Sequence, residues 1–223
     1  GFRRRGADGA AFPSIVASGA NATVLHYVAN DRIMRDGELV LLDAGARNDA
    51  YCADISRTFP VGGRFSADQR VLYDAVRAAR DAGVAAALPG ATVDDVHAAA
   101  LRVLVTALVE IGCVDGPVES LLEPDRASEV RAFYPHRTSH WLGLDVHDVG
   151  DYRIDERSRR LEPGMVLTVE PGLYIPASAA RAPAELAGTG VRVEDDVLIT
   201  PEGNEVLTAA LPVDAAAIEA LME

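Results

Sequence analysis

Apolar positions fall into short extended runs at the start of the chain, two long helical stripes in the middle and extended runs again towards the end. Phe12 to Val16 and Ala22 to Val28 read as strands joined at Ser18-Gly19-Ala20-Asn21, with Pro13 confined to an edge or a strand start. Asp36-Gly37 then turns the chain into Leu39-Val40-Leu41-Leu42, too short and too β-rich for a helix, and extended character resumes from Ile55 to Val61. Between these runs Asn48-Asp49 predicts a hairpin turn, because both residues tolerate the positive φ that tight turns need. A turn centred there puts Asp43 directly opposite Asp54, with Cβ atoms about 5 Å apart.

The period changes at Ser66. Ser66-Ala67-Asp68-Gln69 is a capping box, and Val71, Leu72, Ala75, Val76 and Ala79 give the helix behind it one apolar stripe before Pro89-Gly90. Thr92 begins a second helix, with Val96, Ala100, Leu104, Leu108 and Ile111 in nearly helical register up to Gly112. Both helices read as cover for a sheet, and His97 as structural or exposed. Residues 113–131 form an irregular acidic connection. Met165 to Val169 is a strand closed by Glu170 before Pro171-Gly172, residues 176–190 a loop, and Val191 to Ile199 an alternating strand with Arg192, Glu194 and Asp196 on one face. Glu205 to Leu211 predicts a last strand and Ala215 to Met222 a terminal helix.

A chain of 223 residues is long enough for one substantial core, so one domain is expected. Cys52 and Cys113 are too few for a disulfide framework, which fits a reducing compartment. The net charge of −13 argues against a nucleic-acid surface. No apolar run approaches a membrane span and no signal-peptide core opens the chain, so a cytoplasmic protein is expected. Every basic residue is arginine, which removes Schiff-base lysine chemistry. The opening GFRRRGADGA lacks an initiator methionine and a helix cap, and reads as an entry into a longer protein.

Two bare carboxylates facing each other across a ladder destabilise it unless they share a proton or bind a cation. Asp43 and Asp54 therefore fit a metal site, or else one of them is a turn residue directed to solvent. In FYPHRTSHWLGLDVHDVG, His136 and His140 are four apart and His147 is seven further on, a cluster that a purely structural role explains poorly. A helical zinc-protease motif would need glutamate where Arg137 stands. Glu170 closes its strand either as a ligand or as an ordinary strand-end charge, and Glu194 either as a ligand or as part of a solvated face. His26, by itself, reads as a structural histidine. Together Asp43, Asp54, His140, Glu170 and Glu194 offer four carboxylates and one imidazole, a set suited to two hard or borderline divalent ions: manganese, with cobalt or zinc as competitors.

The hairpin from Asp43 to Asp54 ending in SRTFP, the HRTSHWLGLDVHDVG run, VEPGLYI and VRVEDDVLIT together resemble the catalytic domain of aminopeptidase P, the Xaa-Pro aminopeptidases of the pita-bread metallopeptidase family. The resemblance runs from about Phe12 to the C-terminus. It implies an α+β pita-bread fold: a curved antiparallel sheet with flanking helices in two pseudo-symmetric halves, here without the N-terminal domain that family members usually carry. It further implies that Asp43 chelates one of two manganese ions, that His140 and Glu170 bind the other, and that Asp54 and Glu194 bridge both. His26, His136 and His147 would contact substrate or stabilise the tetrahedral intermediate, Arg192 would position neighbouring acids, and Glu170 would carry a proton to the leaving proline nitrogen. The implied reaction is attack of a metal-bridging hydroxide on the bond before a proline in second position, with Trp141 and Tyr174 as aromatic candidates to receive the ring. A prolidase shares these ligands. A non-catalytic peptide-binding module of the same fold would lack part of them. The resemblance leaves a homo-oligomer of a longer parent open.

Overall fold

The computed structural model describes residues 1–222 and is an α+β structure in which every strand pairing is antiparallel. In chain order the strands and helices are β1 (Gly9–Ala10), β2 (Ile15–Ser18), β3 (Leu39–Asp43), β4 (Ala46–Asn48), β5 (Tyr51–Cys52), β6 (Ser56–Pro60), α1 (Ala67–Ala86), α2 (Val93–Ile111), α3 (Val118–Leu121) and α4 (Ala127–Arg131). They continue as β7 (Arg153–Ile154), β8 (Arg157–Ser158), β9 (Val166–Val169), β10 (Gly172–Ile175), β11 (Thr189–Arg192), β12 (Asp195–Thr200), β13 (Gly203–Val206) and α5 (Ala215–Leu221). Two three-stranded sheets, β2-β3-β6 and β13-β12-β9, carry the frame, and β10-β11 form a pair between them and the helices.

Both long helices start as their sequences dictate. The Ser66 hydroxyl accepts from the Gln69 amide and the Gln69 side chain from the Ser66 amide, and Thr92 and Asp95 repeat that reciprocal cap on α2. Gly112 closes α2 in the left-handed conformation. Leu72, Tyr73 and Val76 of α1 pack with Leu104 and Leu108 of α2 against Leu173, Ile175 and Val191, while Val96 joins a second core with Trp141, Leu167, Val169, Val197 and Ile199. Val71, expected on the α1 stripe, is exposed, and Tyr73 takes the buried place. The helices thus cover the strands, and the polar centre described below takes no residue from either helix.

Several expected elements differ. The hairpin turns at Asp49-Ala50, both at positive φ, so Asn48 pairs with Tyr51 and Asp43 with Ser56 rather than Asp54. Asp54 lies two residues before Ser56, diagonal to Asp43 on the same face by strand alternation. Gly45 is required here, since a Cβ would sit 1.5 Å from the Ala53 carbonyl oxygen. Ala22 to Val28 is not a strand: residues Gly19–Thr23 form a 3-10 turn packed so closely on β11 that a Cβ on Gly190 would meet the Ala22 carbonyl at 2.1 Å. The first strand begins at Ile15 rather than Phe12. Val191 to Ile199 is broken at Val193-Glu194 into β11 and β12, which belong to different sheets. Residues 113–131 contain α3 and α4, and the final strand ends at Val206.

That break places Glu194. Its amide donates to the Ser56 carbonyl at 3.1 Å, which ties the β11–β12 junction to β6. Arg57 anchors the same junction, with Nη2 2.7 Å from Asp195 Oδ1, and Arg80 Nη2 lies 2.6 Å from Asp195 Oδ2. The two cations leave the fully buried Asp195 paired on both oxygens, as a buried charge requires. No helix among the described residues is long and apolar enough to cross a membrane.

Candidate metal centre

A cleft of about 380 Å³ is lined by strand ends and irregular segments, with no residue from α1 or α2. Asp43 reaches it from the end of β3, Asp54 from the segment before β6, Glu170 from the end of β9, and Arg192 and Glu194 from the β11–β12 junction. His26 enters from the segment after the 3-10 turn, and His136, His140 and His147 from the irregular run between α4 and β7. All nine residues given a metal-binding or catalytic role on the sequence line this one cleft.

Ligand atoms of Asp54, His140 and Glu194 lie within 4.8 Å of one another. His140 Nε2 is 3.5 Å from Asp54 Oδ2 and 3.5 Å from Glu170 Oε1. Its Nδ1 lies 3.0 Å from the Trp141 carbonyl, so that nitrogen carries a proton as donor and Nε2 faces the carboxylates. The His147 ring stands edge-on to it, centroids 4.4 Å apart.

Asp43, Asp54 and Glu194 are buried and Glu170 is partly buried, with too little positive charge to match them. Arg192 Nη2 donates to Asp43 Oδ2 at 2.5 Å, its Nε to Ser56 Oγ at 2.8 Å and its Nη1 to the Tyr174 hydroxyl at 2.9 Å. The Ser56 hydroxyl in turn donates to Glu194 Oε2 at 2.8 Å. Asp43 Oδ1 and Asp54 Oδ1 are buried and hydrogen-bond to nothing. Burial, reinforced by Asp54, pushes the Asp43 carboxyl up to about 6 in spite of Arg192. Burial lifts Glu170 to about 7 and Glu194 well above the usual carboxylate range, with neighbouring acids adding in both. Burial works against a charge on His140, but hydrogen bonding with Asp54 and the charge of Glu170 outweigh it and raise its pKa. Buried carboxylate oxygens without donors, beside one imidazole nitrogen, fit a divalent cation of hard or borderline character.

The sequence profile of metallopeptidase family M24 matches residues 1–201. The chain belongs to this family. Among curated proteins it is similar to the Xaa-Pro aminopeptidase of Escherichia coli (strain K12), 48% identical over 221 residues that cover 99% of this chain and 49% of that protein. The human Xaa-Pro aminopeptidase 3 is 40% identical over 217 residues, covering 97% and 41%. Among solved structures, that of Pseudomonas aeruginosa aminopeptidase PepP superposes with a TM-score of 0.95 at 48% identity, over 99% of this chain and 49% of that one. The chain spans about half the length of the curated relatives it matches. The resemblance to aminopeptidase P drawn from the four motifs is thereby borne out.

Within this M24 chain some of the supporting residues escaped the sequence reading. Ser56 lies between Arg192 and Glu194. Asp196, read from the sequence only as sharing a strand face with Glu194, is buried, accepts the Asp54 amide on Oδ2 at 3.2 Å and has no partner on Oδ1. Both follow a site acid by two residues, the spacing that keeps a strand side chain on one face. Tyr174 and Trp141 do not line the cleft. The Tyr174 hydroxyl bonds His136 Nε2 at 2.9 Å, and the Trp141 ring stacks on Tyr152 at 5.2 Å. The apolar wall is instead Phe12, Pro13, Ile15, Leu25, Val28 and Val146.

Proposed function

We propose that residues 1–223 form one pita-bread catalytic domain, its halves pseudo-symmetric, that removes an N-terminal residue preceding proline. The observation that carries this reading is the convergence of Asp54, Glu170 and Glu194 on His140, with buried oxygens of Asp43 and Asp54 left without a donor in the same cleft. Asp43 would hold one ion, His140 and Glu170 the second, and Asp54 and Glu194 both, with manganese the native metal and cobalt or zinc able to replace it. Bound there, two divalent ions supply charge neutralisation, a Lewis acid for the scissile carbonyl and an activated water at neutral pH. With two isolated cysteines and no helical membrane span among the described residues, the proposed location is the cytoplasm.

The chain's own groups do the rest. Arg192 holds Asp43 and, through Ser56, Glu194, so both carboxylates keep their direction when substrate enters. Glu170 takes the proton released by the attacking water and delivers it to the proline nitrogen. His147, beside His140, and the exposed His26 donate to the carbonyl oxygen as it gains charge. His136 lies 2.8 Å from the Arg137 carbonyl through Nδ1 and accepts from Tyr174 at Nε2, so it meets substrate through its ring edge. The apolar wall receives the proline ring, whose fixed φ and missing N–H suit a surface without an acceptor.

The chain loaded with manganese is expected to cleave the first bond of a peptide with proline second at least about tenfold faster, in kcat/KM, than its alanine-second counterpart. The alanine peptide brings an amide hydrogen that the apolar wall leaves unpaired. Equal rates would remove the Xaa-Pro assignment, and cleavage confined to dipeptides would favour a prolidase.

A further inference from the structure

A second cleft, of about 440 Å³, shares Arg137, Ser139 and His140 with the first. The two therefore adjoin at these three residues, beside the candidate metal centre. An enzyme that removes a single residue needs room for only that residue on the N-terminal side of the bond. A further cleft beside the same centre is available to the other side of the substrate.

Two features of the second cleft point to a ligand. Ser139 is 5% exposed, and its hydroxyl is buried with no hydrogen-bond partner, although it lines both clefts. A buried hydroxyl in that state is destabilising unless something fills its bonding capacity. Arg137 and Arg153 also face each other across Asp94: Arg137 Nη2 bonds Asp94 Oδ1, and Arg153 Nη1 lies 3.8 Å from Asp94 Oδ2. Two guanidinium groups sharing one carboxylate leave a local positive charge in a chain whose net charge is −13. Both side chains remain more than half exposed, and among the described residues Arg153 is otherwise held only by its Nη2 bond to the Glu156 carbonyl at 2.7 Å, so both can reach an incoming anion.

We propose that this second cleft is the subsite for the leaving peptide, where Ser139 bonds the peptide backbone and Arg153 with Arg137 selects a carboxylate carried by that peptide. The proposal rests on the aminopeptidase reading, which supplies the direction of the chain. The carboxylate comes either from the peptide's C-terminus or from an acidic side chain, and both present the planar pair of oxygens that a guanidinium grips.

Binding can be read without turnover. Trp141 is the only tryptophan of the chain and stacks on Tyr152, a wall of the second cleft, so its fluorescence reports occupancy. The full chain, with and without manganese, would be titrated with prolyl-leucine and prolyl-leucinamide, and with Pro-Leu-Glu-amide and Pro-Leu-Gln-amide. At least one acidic member should bind about fivefold more tightly than its neutral partner, the size expected for half-exposed ion pairs, and the gap should shrink with added salt. Arg153→Gln combined with Arg137→Gln should bring the ratio close to one, while Arg153→Lys keeps most of it. A gap in the first pair alone assigns the terminal carboxylate, and a gap in the second alone assigns a side chain. Equal affinity in both pairs for the unsubstituted chain, or a gap that survives the double replacement, overturns the proposal. A chain that keeps the acid preference but cleaves proline and alanine peptides equally would lose the Xaa-Pro reading instead, so the two failures are separable.

Discussion

Glu194→Gln is expected to lower kcat/KM by at least about a hundredfold, the upper cost of disturbing even the groups that support a metal ligand. The same substitution should raise, not lower, the thermal midpoint of the metal-free chain. Glu194 is 1% exposed and its charged form is disfavoured first by burial and then by Asp54, Glu170 and Asp43. Glutamine has nearly the same shape, can still accept from Ser56 and carries no charge to repel those neighbours. A purely structural glutamate would give the opposite pattern, with lost stability and no metal dependence. Calorimetric melting of both proteins with and without manganese separates the two cases. A metal-dependent upward shift of the midpoint as large in Glu194→Gln as in the unsubstituted chain would contradict a ligand role.

The metal-free chain should lose stability as pH rises from about 4.5 to above 7, contrary to the usual gain on leaving acid conditions. Asp43, raised to about 6, Glu170 and Asp196, raised to about 7, and Glu194, raised further, hold protons in the folded state that the unfolded chain has already released. A raised carboxylate pKa contributes stability below its unfolded value, and that contribution disappears as pH climbs to the folded value. His97 and His136 act in the opposite direction. Burial pushes both down to about 4, so they add stability as pH rises towards the unfolded value near 6.5, and they offset part of the slope. One uncompensated proton is worth about 1.4 kcal/mol per pH unit, so a net loss on the order of 1 to 2 kcal/mol per unit is expected across this range. Manganese should reverse the trend, because it binds the deprotonated carboxylates and stabilises the fold in proportion to its own binding. Denaturant titrations from pH 4.5 to 7.5 measure both. A flat or rising curve without metal would show that the acids are not held neutral by burial.

Local chemistry made some of this legible and hid the rest. Ser66 and Thr92 announce their helices because a cap is satisfied within four residues, and the structure forms both reciprocal pairs. Asp43, Asp54, His140, Glu170 and Glu194 were reachable because so many carboxylates beside an imidazole on strands or strand ends are uncommon, whereas the roles of His26, His136, His147 and Arg192 came only from the resemblance to aminopeptidase P. Register was not reachable. Ala50 at positive φ is a position that turn preferences disfavour, and Asn48-Asp49 was the better local candidate. The break at Glu194 was hidden for a different reason. Residues 190–197 are buried on both faces, so the alternation that suggested a solvated face has no solvent to face. What bends the chain there is the bond from the Glu194 amide to Ser56, far away in sequence. The Ala22 segment likewise looks β-prone in isolation, and its contact with Gly190 decides otherwise. Tyr174 was noticed as an aromatic surface, although its hydroxyl is what engages Arg192 and His136.

The central claim is that Asp43, Asp54, His140, Glu170 and Glu194 together hold two divalent ions. Titrating manganese into the metal-free chain in a calorimeter, with elemental analysis of the dialysed product, tests it most directly. Two equivalents per chain are predicted, falling to fewer than two in Asp54→Asn, while one equivalent or none in the unsubstituted chain would contradict the account.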